Sequence, residues 1–125
     1  MAKNFYTEYF LGLLAQIKLF HWTTNKYSIH KALDELHKNL SEDIDKFIEV
    51  YIGKHDLNSN QITNITIKTN ATTMNNDGIK NYLKYHNQKL KKLRNFFNKH
   101  STELQNIIDN MVANINQSLY LINLE

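Results

Sequence analysis

No proline occurs in this sequence of 125 residues, and only three residues are glycine. These two residue types interrupt helices and form the turns of β-rich proteins, so their scarcity favours long, uninterrupted helices. Apolar residues make up 42% of the chain, which is enough to build a packed core at this length. The sequence therefore predicts a single all-α domain over residues 1–125.

Apolar residues recur at steps of three and four in four segments, the spacing of one helical face. The link between the first two segments is short, so these two helices are expected to be antiparallel neighbours. Ser28 is predicted to cap the start of the second helix, Gly53 its end, and Asp77 the start of the third. The predicted helices cover residues 5–21, 28–51 and 77–97, and a last stretch from 101 or 102 to 122.

Residues 54–76 separate the second and third helices and are rich in Asn, Thr and Ser. A connection this long is uncommon in a compact domain unless it travels the length of a helical bundle. We therefore expect a four-helix bundle in which this segment is a long crossover. The alternating stretch 62–67 is also compatible with a short strand that pairs with another chain.

Composition excludes several classes of function. There is no cysteine, so thiolate chemistry and disulfide bonds are impossible. The first ten residues lack the pattern of a signal peptide, and no apolar run approaches the roughly 18 residues of a membrane span, so a soluble, intracellular protein is expected. The net charge is only +3, and any affinity for nucleic acid would have to come from local clusters of charge.

Two pairs of candidate metal ligands lie in the second predicted helix. His30 and Asp34 are four residues apart, as are Asp45 and Glu49, so the members of each pair share a helical face. Imidazole with carboxylate suits iron, zinc or manganese. His30 and Asp45 are separated by roughly 22 Å of helix, so one ion cannot bind both pairs of the same chain. A site with four ligands must then be shared across the twofold axis of a homodimer.

A longer pattern includes these ligands, and in chain order it reads His21-Trp22, Ile29-His30, Asp34-Glu35-Leu36, Asp45 and Glu49. It resembles the signature of the Dps proteins, the miniature ferritins that bind DNA in starved cells. The resemblance implies a ferritin-like bundle and a ferroxidase centre for iron detoxification. Its ligands would be His21, His30 and Asp34 of one chain with Asp45 and Glu49 of the twofold mate.

The resemblance covers residues 10–52 and has two departures. The link between the two histidines is three residues shorter than is usual in the family, and Val50 stands where arginine is usual. The reduced pattern is similar to that of small proteins encoded by phages and large DNA viruses. A location in the cytoplasm, on a nucleoid or in a viral particle is implied, and assemblies larger than a dimer are compatible with it.

Other functions remain open at this point. The third helix carries many cations against one acid, and a basic helix can bind DNA without sequence preference, which would suit a non-enzymatic DNA-binding or packaging protein. Alternatively, the acids of the second helix are a solvated face, His21 interacts with the dipole of its own helix, and the chain is a structural subunit. The candidate DNA-binding residues are Lys84, Lys89, Lys91, Lys92 and Arg94.

Overall fold

The computed structural model describes residues 5–55, 64–70, 75–97 and 99–124. Over these ranges the regular elements are four α-helices and one short 3-10 turn, and no strand is present. The prediction of an all-α chain with four helices is confirmed. The helices are α1 (Phe5–Thr23), α2 (Tyr27–Lys54), α3 (Asn76–Phe96) and α4 (Thr102–Asn123), and the turn Lys99–Ser101 precedes α4.

Contacts at the helix ends establish the direction of each helix. The short link between α1 and α2 makes them antiparallel. The ammonium of Lys54, at the end of α2, donates to Glu103 at the start of α4 over 2.6 Å, so α4 also runs against α2. The hydroxyl of Thr24, just after α1, donates to Asn76 at the start of α3 over 3.4 Å. Because α2 and α3 begin at the same end, the connection between them travels the length of the bundle.

The described part of that connection, residues 64–70, lies against α1. The backbone N–H of Asn70 donates to Oε1 of Gln16 over 2.5 Å. A Cβ atom on Gly12 would lie 3.1 Å from the carbonyl oxygen of Lys68, so the segment approaches the helix closely where a side chain is missing. Residues 64–67 have no regular structure, and Asn64 has a positive φ of 57°. The remainder of the predicted strand and crossover, 56–63 and 71–74, lies outside the described residues.

Enlarging Gly12 is expected to weaken this contact. In Gly12→Val the new side chain must displace the 64–70 segment, which should lower the free energy of unfolding by about 1–3 kcal/mol in urea denaturation. Gly53→Val is the matched control, because a Cβ there meets nothing within 4 Å. The control should stay within about 0.5 kcal/mol of the wild type, because valine and glycine differ little in helix propensity. Wild-type stability in Gly12→Val would contradict the close approach.

All three predicted caps are wrong. α2 begins at Tyr27, so Ser28 lies inside its first turn, and the helix continues one residue beyond Gly53. No glycine has a positive φ, so Gly53 is not used as a left-handed helix end. Asp77 lies within the first turn of α3, and the cap is Asn75, whose side chain accepts a hydrogen bond of 2.8 Å from the backbone three residues later. The amide oxygen of asparagine fills the same role as the expected carboxylate.

One apolar core lies between the four helices. Its largest side chains are fully buried, and each contributes about 1.5–3 kcal/mol relative to an exposed position. Within the described ranges no helix combines the length and the apolar character that a membrane span requires. Fully buried members of the core include Phe10, Ile17 and Phe20 of α1, Leu33, Leu40 and Phe47 of α2, Ile79, Leu83 and Leu90 of α3, and Leu104, Ile108 and Ile115 of α4.

Candidate metal centre

The two histidines of the sequence pattern meet where α1 turns into α2. His21 lies in the last turn of α1 and is buried, and His30 lies in the first turns of α2 and is half-buried. Their rings stack with centroids 3.8 Å apart and an angle of 19° between the planes. The link that is three residues shorter than in the Dps family therefore still brings the two imidazoles together.

Reciprocal hydrogen bonds fix the orientation of both rings. Nδ1 of His21 lies 2.7 Å from the carbonyl oxygen of His30, and Nδ1 of His30 lies 2.6 Å from the carbonyl oxygen of His21. A carbonyl oxygen only accepts hydrogen bonds, so both Nδ1 atoms must carry the proton. Each neutral ring then has its lone pair on Nε2. Metal-ligating histidines usually have this arrangement, in which the second ring nitrogen donates to a carbonyl or carboxylate.

The same bonds have a structural consequence. They join the end of α1 to the start of α2 and satisfy a carbonyl group that α1 itself leaves without a helical partner. Nδ1 of His21 thus donates to a carbonyl of α2. The alternative interpretation, in which this ring interacts with the end of its own helix, does not account for this hydrogen bond. A structural role for the pair and a role in metal binding are compatible, because the structural bonds use only Nδ1.

Asp34 places a carboxylate next to the imidazole pair. Its Oδ1 atom lies 3.8 Å from Nε2 of His21 and 3.9 Å from the ammonium of Lys18, and the side chain is 64% exposed. His37 follows one turn later on α2, and burial together with the nearby Lys18 ammonium lowers its pKa. The cluster therefore brings imidazole nitrogens near an accessible carboxylate, and these are ligand types that suit a divalent transition metal.

Asp45 and Glu49 lie near the other end of α2. Both carboxylates are exposed, and they line a cleft of about 190 Å³ whose other walls include Leu11 of α1 and Ile48 of α2. The 15 residues of helix between His30 and Asp45 correspond to roughly 22 Å. Among the residues that the structure describes, no three His, Asp or Glu side chains of one chain form a group that could hold a metal ion. One chain therefore provides two separate partial sets of ligands.

The cations of α3 divide into two groups. Arg94 is committed to an ion pair of 2.5 Å with Asp109 of α4, and the ammonium of Lys89 lies 5.0 Å from the ring centre of Tyr9. The other three candidate DNA-binding residues, Lys84, Lys91 and Lys92, are exposed. Two of the five candidates therefore have partners within the chain.

Sequence reasoning missed the surroundings of His86. Nδ1 of His86 lies 2.9 Å from the hydroxyl of Tyr9 on α1, and its ring is 4.3 Å from that of Tyr82. The only sequence signal was the occurrence of Tyr82 and His86 four residues apart on α3. The partner on α1 is 77 residues away in sequence and could not be identified without the fold.

Comparison with known proteins identifies a family. Neither the curated proteins nor the solved structures gave a match. A family model described as a family of unknown function, DUF5856, matches residues 21–122. The match begins at His21, includes all five candidate metal ligands, and covers most of the 125 residues. The chain therefore belongs to the DUF5856 family of unknown function.

Proposed function

We propose that this protein is a ferritin-like, Dps-related iron-binding protein whose metal site is shared between the two chains of a homodimer. The order of the helices supports the fold assignment. α2 and α3 run parallel, and one long connection between them travels the length of the bundle, as the single crossover of ferritin-like proteins does. The site and the dimer are supported by separate observations.

The observation that carries the proposal is the pair of reciprocally bonded histidines. Because Nδ1 of each ring donates to a backbone carbonyl, both Nε2 atoms are available as ligands without any change of tautomer. Asp34 adds a carboxylate oxygen 3.8 Å from one of them. Imidazole and carboxylate are ligand types that suit iron(II), with zinc or manganese as possible surrogates, and the mate chain would have to complete the set because one chain alone does not form a metal-holding group among the described residues. Iron(II) would be the substrate, oxidised to iron(III) by dioxygen or peroxide.

The surface around Asp45 and Glu49 supports a twofold dimer. Leu11 is 38% exposed on α1, and with half-buried Ile48 of α2 it borders the cleft that contains Asp45 and Glu49. A second chain packed antiparallel on this face would place its His21 and His30 over that cleft. The exposed carboxylates would then complete the coordination that one chain lacks.

Anaerobic titration with iron(II), with the molecular mass measured on the same sample, tests the proposal. We expect saturation at about two iron ions per dimer, one for each symmetry-related site. A folded dimer that binds no iron(II) would reject it. The second candidate, binding of nucleic acid without sequence preference, would then rest on the exposed Lys84, Lys91 and Lys92 of α3.

A further inference from the structure

A second cleft, of about 420 Å³, lies between α1, the 64–70 segment and α3. It shares no lining residue with the candidate metal centre. Its size is within the range of about 300–1,000 Å³ that is typical of small-molecule sites in proteins. Gly12 and Lys68 both line this cleft. The carbonyl oxygen of Lys68 comes close to Gly12 because glycine has no side chain there.

Aromatic side chains form one wall of this cleft. The hydroxyl of Tyr9 lies 2.9 Å from Nδ1 of His86, and the rings of Tyr82 and His86 are 4.3 Å apart at an angle of 46°. Burial raises the pKa values of Tyr9 and Tyr82, and burial together with Lys89 lowers that of His86 to about 4. All three rings are therefore uncharged at neutral pH, and all three line the cleft.

Cations exceed anions in the rest of the lining. Lys89 of α3 places its ammonium 5.0 Å from the ring centre of Tyr9, and Lys68 lines the cleft from the 64–70 segment. Glu8 is the acid among the described lining residues, so two positive charges and one negative charge leave a net charge of +1. This balance favours a monoanion over a dianion or a cation.

A buried amide is hydrogen-bonded to a residue that lines the cleft. Gln16 is only 1% exposed, and its Oε1 atom accepts a hydrogen bond from the backbone N–H of the lining residue Asn70. Its Nε2 atom has no hydrogen-bond partner among the described residues. Buried donors of this kind are rare in native proteins, and water or a ligand is their ordinary partner. One buried donor next to the lining residue Asn70 is therefore without a partner among the described residues.

We propose that this cleft binds a small aromatic carboxylate. The rings of Tyr9, Tyr82 and His86 would contact the planar part of the ligand, and the ammonium groups of Lys68 and Lys89 would hold its carboxylate. A phosphate ester is a poorer fit, because no arginine is among the described lining residues and the net charge matches a single negative charge. An alkyl chain would leave the polar atoms of the wall without partners.

Titration with 2-naphthoate, followed by two-dimensional NMR of the backbone amides, tests this proposal. Saturable shifts are expected at Gly12, in residues 66–70 and in residues 82–89. Two matched compounds separate the contributions of charge and ring. 2-Naphthamide has the same rings without the charge, and decahydro-2-naphthoate has the charge without the aromatic rings. Each of these two compounds should bind at least about tenfold more weakly than 2-naphthoate.

Variants identify the cations that are involved. Lys68→Gln combined with Lys89→Gln should weaken 2-naphthoate binding about tenfold and leave 2-naphthamide binding unchanged. Lys84→Gln combined with Lys91→Gln removes the same charge from exposed positions that do not line the cleft, and should bind like the wild type. Equal binding of all three compounds, or shifts centred on another surface, would overturn the proposal. The same NMR spectra report whether each variant is folded.

Discussion

Simultaneous replacement of Asp45 and Glu49 by alanine is expected to lower the rate of iron(II) oxidation more than about 100-fold. Removing a residue that only hydrogen-bonds to a metal ligand typically lowers metal affinity or activity by about 10–100-fold. These two carboxylates would be direct ligands from the mate chain, so a larger loss is expected. Both side chains are exposed, so the fold should survive with a change in stability of about 0.5 kcal/mol or less. Stopped-flow absorbance of iron(III) formation measures the rate, and circular dichroism measures the helix content.

A control with the same loss of charge on the same helix is available. Glu35 and Glu42 are also exposed acids of α2, and neither belongs to the proposed ligand set. Their double alanine variant should oxidise iron(II) at the wild-type rate. If both double variants slow oxidation equally, α2 attracts iron only through its general negative charge. If neither double variant slows oxidation, the proposal of a shared site is wrong.

The sequence was sufficient to predict the helices and the long connection, because these depend on local properties. Apolar residues spaced three and four apart, as in Phe10, Leu13 and Ile17, specify a buried face whatever that face packs against. Helix ends were less predictable. Ser28 and Gly53 are ordinary cap residues, but α2 runs from Tyr27 to Lys54, one residue past each of them, and helix ends commonly differ from such predictions by one or two residues.

The candidate site was predictable only in part. Helical spacing placed His30 with Asp34 and Asp45 with Glu49, and the rise per residue separated the two pairs. Spacing could not predict that the ring of His21 would stack on that of His30. It also could not predict that Nδ1 of each ring would donate a hydrogen bond to the backbone carbonyl of the other residue. These contacts depend on how the short link closes. Likewise, the cleft beside His86 exists only because α1 and α3 are neighbours in the fold.

A heterodimer with one lesion in each chain is expected to retain about half of the wild-type rate of iron(II) oxidation. One chain carries His30→Ala and Asp34→Ala, and the other carries Asp45→Ala and Glu49→Ala. If each site is shared, one of the two sites has intact ligands from both chains. The other site lacks the ligands of both chains. Co-expression with two affinity tags isolates the heterodimer, and each homodimer should be nearly inactive. Loss of the His30 hydrogen bond should cost only about 1 kcal/mol of stability.

The reciprocal heterodimer provides the decisive comparison. If one chain carries all four substitutions and its partner is wild type, each shared site lacks one half of its ligands, and oxidation should be lost. A site contained within a single chain gives the reverse result, because the wild-type chain would remain active and the chains with separate lesions would not. The two heterodimers contain the same substitutions and differ only in how these are distributed. Opposite activities in the two would therefore report the sharing of the site, independently of any effect of the substitutions on stability.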